Sequence, residues 1–131
     1  MTGERMTLDD VAAFLTDLNG AEPGFPFGPD VRAWKVAGKV FALDSERGGI
    51  ATVSVKALPE NVQALVAGVE GIAPGYHLNK RHWVTVTLDL VEHDLVEELL
   101  AESHAIVVAS LPRRVRLTLD GTASGSLSAD D

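Results

Sequence analysis

Val31-Arg32-Ala33-Trp34-Lys35-Val36, the pair Ala37-Gly38, then Lys39-Val40-Phe41-Ala42-Leu43 and, past a turn from Ser45 to Gly49, Ile50-Ala51-Thr52-Val53-Ser54-Val55-Lys56: the fold turns on this stretch. Two short β-prone runs around a glycine read as a hairpin. In the third run Ile50, Thr52, Ser54 and Lys56 alternate with Ala51, Val53 and Val55, the period of a half-buried strand with Val53 and Val55 inward. Three strands therefore follow one another without a crossover helix.

Upstream, residues 21–30 hold Pro23, Gly24, Pro26, Gly28 and Pro29 and read as an extended loop, with Phe25 and Phe27 turned into the core. Before it, Val11, Phe14, Leu15 and Leu18 make one apolar helical stripe, opened by a Thr7/Asp10 capping box and stopped at Asn19-Gly20. Downstream, Pro59 suits a first helical position, and Val62, Leu65, Val66 and Val69 form a second stripe that ends at Gly71. A loop through Pro74-Gly75 leads to Trp83–Leu88, which alternates as a fourth strand. Leu95, Val96, Leu99, Leu100 and His104 mark a third helix, ended by Pro112. Beyond it Val115, Leu117 and Leu119 read as one more strand or an arm, and residues 121–131 as a polar tail. The order helix, three strands, helix, strand, helix predicts an α+β fold, an antiparallel sheet with three flanking helices on one face. Residues 1–114 make a single domain in this reading, and 115–131 a possible extra strand and tail.

The bulk numbers agree. A chain of 131 residues, 46% hydrophobic, has the apolar content to fold without staples. Without cysteine it has no disulfide and no thiolate metal site. No apolar run approaches the roughly 18 residues of a membrane span, and the polar first ten residues carry no signal core, so the expectation is a cytoplasmic protein with no membrane partner. The net charge of −8 opposes nucleic-acid binding taken alone. Its distribution is uneven. From Arg32 to Arg81 seven basic residues face four acidic ones, whereas the rest of the chain holds four basic and fifteen acidic.

Chemistry concentrates in Tyr76-His77-Leu78-Asn79-Lys80-Arg81-His82-Trp83. Lys80 and Arg81 supply charge, Asn79 hydrogen bonds, and Tyr76 or Trp83 a stacking face, a set suited to an anionic or planar ligand. The plainer reading makes Trp83 a core residue and uses His77 and His82 to tie down the loop. His77 and His82 are five apart, with His93 and His104 in other elements, a spacing that does not predict a metal site. The carboxylates Glu92, Asp94, Glu97, Glu98 and Glu102 read as a solvated helix face. No nucleophile elbow, cysteine or phosphate-binding glycine loop is present, so the sequence predicts no enzyme and no cofactor.

Phe25-Pro26-Phe27-Gly28, Lys39-Val40-Phe41-Ala42, Val55-Lys56 with Pro59-Glu60, Pro74-Gly75-Tyr76-His77-Leu78-Asn79-Lys80 with His82-Trp83, and Glu102-Ser103, in that order, resemble the MmcQ/YjbR family across about residues 7–114. The Pro-x-Tyr-His-x-Asn-Lys-x-His-Trp string is the specific part. His104 stands where the family commonly has Tyr, and Gly75 where Ala is frequent. The resemblance implies a compact α+β fold of the CyaY/frataxin-like group and a DNA-binding role with a double-wing arrangement. Two functions are therefore expected. In the first, Lys35, Lys39, Lys56, Lys80 and Arg81 contact DNA phosphates, with Asn79 and Trp83 near bases or sugars. In the second, the Tyr76–Trp83 loop, His77 and His82 included, binds a small molecule or a protein. Iron handling follows only from fold analogy.

Overall fold

Thr7 opens helix α1 (Leu8–Thr16) with both halves of the expected capping box. Asp10 N–H donates to the Thr7 hydroxyl at 3.1 Å, and Thr7 N–H donates to the Asp10 carboxylate at 2.9 Å. The bond from the Thr7 backbone, then the one with its side chain, holds the Asp10 carboxyl below its ordinary value of 3.8. The computed structural model describes residues 4–75 and 78–124. After α1 come strands β1 (Ala21–Gly24), β2 (Val31–Val36), β3 (Lys39–Arg47) and β4 (Ile50–Lys56), then helix α2 (Pro59–Gly68) and strands β5 (Ile72–Pro74) and β6 (Trp83–Thr87). A 3-10 turn at Leu88–Leu90 leads into helices α3 (His93–Ala109) and α4 (Arg113–Ser124). The strands form one antiparallel sheet in the order β1-β2-β3-β4-β6-β5. Among the described residues no helix is long and apolar enough to cross a membrane.

Directly opposed residues of neighbouring strands share a face, so the register sorts the sheet into two surfaces. One carries Trp34, Ala42, Val53, Val55, Val84, Val86 and Ile72, which form a single core cluster with Val11 and Leu15 of α1, Val62 of α2, and Val96, Leu99, Leu100 and Val107 of α3. The other consists of rows running across the strands. Gly24, Ala33, Leu43, Ser54, Thr85 and Ala73 make one complete row; Val31, Ser45, Thr52 and Thr87 make a second. Glu22 opposite Lys35, Lys35 opposite Val40, and Lys56 opposite Trp83 belong to a third. Ala33 is buried yet stands outside the core cluster, as do Leu43 and Trp83. The helices therefore cover one face and leave the other open.

Four features differ from the sequence reading. β1 and β5 were expected as loop, because Pro23, Gly24 and Pro74 break strand patterns. Both are edge strands, where a proline without an N–H is tolerated. Phe25 and Phe27 are 57% and 64% exposed instead of buried: β1 carries the chain along the sheet edge, and Trp34 and Phe41 fill the core. β3 continues to Arg47, leaving a two-residue turn at Gly48-Gly49 with φ of +59° and +82°, the mirror-type geometry that matches strand twist. Finally, the segment read as a strand or arm is α4, a fourth helix. Val115 and Leu119 are half-buried while Leu117 is 54% exposed, the pattern of a helix stripe that a short alternation mimics. Asn19 Nδ2 donates to Leu119 C=O at 2.9 Å and ties α4 to the end of α1.

A bulge shapes the centre of the sheet. Trp34 pairs with Ala42 and Lys35 with Val40, so Phe41 is the extra residue, and its side chain is buried in the core. The buried Ser103 of α3 bonds to the backbone here: its hydroxyl donates to Phe41 C=O at 2.6 Å and accepts from Lys56 N–H at 2.8 Å. Ser103→Ala strips both backbone groups of this partner, and the expected loss is about 2–4 kcal/mol of unfolding free energy in urea titration. At the other end of the fold, the Asp10 bonds contribute stability above its ordinary value of 3.8, and that contribution is lost as pH falls through the lowered folded value. Thr7→Ala should cost about 1 kcal/mol at neutral pH and should lessen the acid sensitivity of stability in that window.

Candidate nucleic-acid interface

The strand directions bring the candidate residues to one end of the sheet. Lys39 opens β3, Lys56 closes β4, Trp83 opens β6, and Lys35 is the penultimate residue of β2. Lys35 and Lys56 lie on the open face, Lys56 directly across from Trp83. Lys39 is exposed at the β2–β3 hairpin, opposite Val36. The 78–82 loop enters β6 at this same end and carries Lys80 and Arg81, both exposed. Tyr76 and His77 lie outside the described residues.

Much of the loop's polar chemistry serves the loop itself. Asn79 Oδ1 accepts from Arg81 N–H at 2.9 Å, the local bond an asparagine makes in a turn. Lys80 Nζ donates to Gly75 C=O at 3.0 Å. His82 N–H donates to Asn79 C=O at 3.2 Å, and His82 C=O accepts from Ala57 N–H at 2.9 Å, so this histidine acts through its backbone. Gly75 N–H donates to Trp83 C=O at 2.9 Å. A Cβ on Gly75 would come within 2.7 Å of the Trp83 Cβ and 3.2 Å of the Leu78 Cβ. That closeness seats the loop against Trp83, whose half-buried side chain stands outside the core cluster, contrary to the plainer reading.

Charge is sorted by the same geometry. Asp44, one of the few acids of the central stretch, points to the helix-bearing face and is 4% exposed. It accepts from Arg32 Nε at 3.1 Å and from Trp34 Nε1 at 2.8 Å, and the Arg32 guanidinium lies 5.3 Å from the Trp34 ring centroid. Arg32 and Asp44 thus neutralise each other away from the open face. Among the described residues, Lys35, Lys39, Lys56, Lys80 and Arg81 have no carboxylate at ion-pair distance. Glu22 is the acid in the open rows, at the sheet's β1 edge.

Three features were not foreseen. A hollow of about 310 Å³ on the open face is lined by Glu22, Pro23, Gly24, Phe25, Pro26, Ala33 and Lys35. The two phenylalanines flanking Pro26 were the signal, since prolines at 23, 26 and 29 keep this segment extended along the edge. A groove of about 540 Å³ between α3 and α4 is lined by Asn19, His104, Val108, Arg113, Arg116 and Leu117, among others. His104 Nε2 is 2.7 Å from Asn19 C=O, an acceptor, so that nitrogen carries the proton, and the ring meets Phe41 edge-on at 5.1 Å. At the start of α3, His93 lies between Asp94 and Glu97, its ring nitrogens 3.5 and 3.7 Å from their carboxylates. One ligand atom from each falls within 4.8 Å of the others, with His93 and Glu97 half-buried and Asp94 exposed.

Comparison with known proteins gives consistent relatives. Residues 16–106 match the model of the YjbR family. The chain is 32% identical to the uncharacterised protein YbdF of Escherichia coli O157:H7, over 85% of this chain and 93% of that one. It is 30% identical to the uncharacterised protein YjbR of Escherichia coli K12, over 87% and 98%. In three dimensions it resembles the crystal structure of Deinococcus radiodurans protein DR2400, of domain family DUF419, with a TM-score of 0.82 and 34% identity over 91% of each chain. A Pseudomonas syringae protein shares the fold with a TM-score of 0.68 and 24% identity, over 77% of this chain and 98% of that one.

Asn79→Ala removes the turn bond to Arg81. Amide exchange at Arg81 and His82 should speed up by about fivefold, the effect of losing a bond worth roughly 1 kcal/mol, while exchange in β3 and β4 stays unchanged.

Proposed function

The chain belongs to the YjbR family, and from that premise we propose that it is a non-catalytic module that binds DNA at the Lys35, Lys39, Lys56 and Arg81 end of its sheet. The carrying observation is the strand register. It gathers cations from β2, β3, β4 and the 78–82 loop at one end, with no carboxylate paired to them among the described residues. Separated in sequence, they become a local positive field, which is what phosphate contact requires. Trp83 adds an aromatic surface beside Lys56. Lys80 acts more as a loop brace than as a free contact, because Gly75 C=O already accepts from it. Ammonium and guanidinium groups bind phosphate and an indole stacks on bases, which supports a binding role. A cytoplasmic location goes with this proposal.

Fluorescence anisotropy with labelled DNA at about 50 mM salt tests it. Binding should weaken steeply with added salt. Lys56→Ala with Arg81→Ala should weaken it further and flatten the salt slope by about one for each phosphate contact removed. The absence of binding at this salt, or binding indifferent to both substitutions, would sink the proposal. A rise in melting temperature with an anionic or planar metabolite and none with DNA would assign the same surface to a small molecule.

A further inference from the structure

The open face of the sheet carries aromatic chemistry that the cationic end alone does not use. At its β1–β2 margin, Phe25, Pro26, Ala33 and Lys35 line the 310 Å³ hollow. Phe25 is 57% exposed there. On the same face, with β2, β3 and β4 between, stands Trp83, opposite Lys56. Four strand spacings of about 4.8 Å put the two aromatics on the order of 19 Å apart across the strands. Between them the complete row supplies Leu43, Ser54 and Thr85, all uncharged, with Ser54 Oγ and Thr85 Oγ1 hydrogen bonded at 2.8 Å.

We propose that this face binds single-stranded nucleic acid: one base enters the Phe25–Ala33 hollow, a second stacks on the Trp83 indole, and Lys35 and Lys56 take the phosphates between. The inference rests on the DNA-binding reading and names the form of nucleic acid that the site holds. In a duplex the bases are stacked and paired, and only their edges show in the grooves. Against a duplex, Phe25 and Trp83 would have no base face to stack on. A single strand offers its base faces, and stacking on aromatic side chains tolerates any sequence. Charge favours the same choice. The chain as a whole carries −8, which a duplex with two phosphate strands opposes more strongly than one strand does. The acids of α3 lie behind the sheet, and Glu22, at the hollow's rim, is opposite Lys35.

The test compares labelled oligodeoxythymidylate, oligouridylate, a duplex of equal length and inorganic polyphosphate at about 50 mM salt. Either single strand should bind at least tenfold more tightly than the duplex, and the better of the two identifies the natural sugar. Phe25→Ala, at an exposed position, should weaken single-strand binding roughly 5- to 100-fold without altering the melting temperature or duplex binding. Tryptophan fluorescence should respond to the oligonucleotides and not to polyphosphate. That signal reports Trp83, because Trp34 is 1% exposed. Equal affinity for duplex and single strand, or indifference to Phe25→Ala while Lys56→Ala still weakens binding, would overturn this inference and leave the DNA reading standing. No binding to any nucleic acid would overturn both.

Discussion

The hydroxyl of Ser103 bridges β3 and β4 where their pairing lets go, beyond the Ala42–Val55 pair, and the candidate interface depends on that bridge. By accepting from Lys56 N–H and donating to Phe41 C=O it fixes the last residue of β4 against α3. The next residue, Ala57, then donates to His82 C=O, which sets where β6 begins. Trp83 follows, its carbonyl accepts from Gly75 N–H, and the Gly75 carbonyl in turn accepts from Lys80. Each bond positions the backbone that makes the next. A serine on the buried side of the sheet therefore determines how Lys56, Trp83 and the 78–82 loop are presented on the other side, without touching any partner itself.

Placing every helix on one face has an electrostatic result as well as a packing one. The helices must cover the row of valines through Val53, Val55, Val84 and Val86, because that is where apolar area can leave water. The acidic residues travel with the helices, on the outer side of α3 above all. Within β3, Asp44 and Glu46 point the same way, and Asp44 is buried and matched to Arg32 and Trp34. What remains for the open face is lysine, serine, threonine and apolar side chains from Ala33 to Leu43 and Trp83, with Glu22 at its β1 edge.

The sequence was legible where a single local period decided the outcome. Alternation located β4 and β6, the i, i+3, i+4 stripes located α1 to α3, and Thr7 with Asp10 marked a helix start that the structure reproduces bond for bond. It was not legible where the deciding partner is distant. β1 and β5 are strands because of neighbours 9 to 15 residues away, as with Pro23 against Trp34, and their own prolines argue the opposite. Phe25 and Phe27 look like core by type, and only the edge position of β1 turns them outward. α4 is a helix whose Val115, Leu117 and Leu119 also satisfy a two-residue period over so short a span. In the site, Trp83 could be placed on a strand face from alternation, whereas the commitment of Asn79 and Lys80 to the loop depends on a turn geometry that composition does not encode. Lys35 and Lys56, 21 positions apart, meet on one face only through the register.

Net charge is a weaker objection to a nucleic-acid role than its size suggests, and distance is the reason. A helix with its side chains is roughly 10–12 Å across, so carboxylates on the far side of α3 sit at least that far behind the sheet. The screening length is about 8 Å at physiological ionic strength and near 30 Å at 0.01 M. In cellular salt a strand on the open face therefore feels Lys35 and Lys56 at close range and little of the acids behind. In very dilute buffer the whole −8 is felt, and approach is opposed. Close phosphate contacts, which weaken as salt is raised, joined to stacking, which salt affects least, are the form of binding that this division of faces supports.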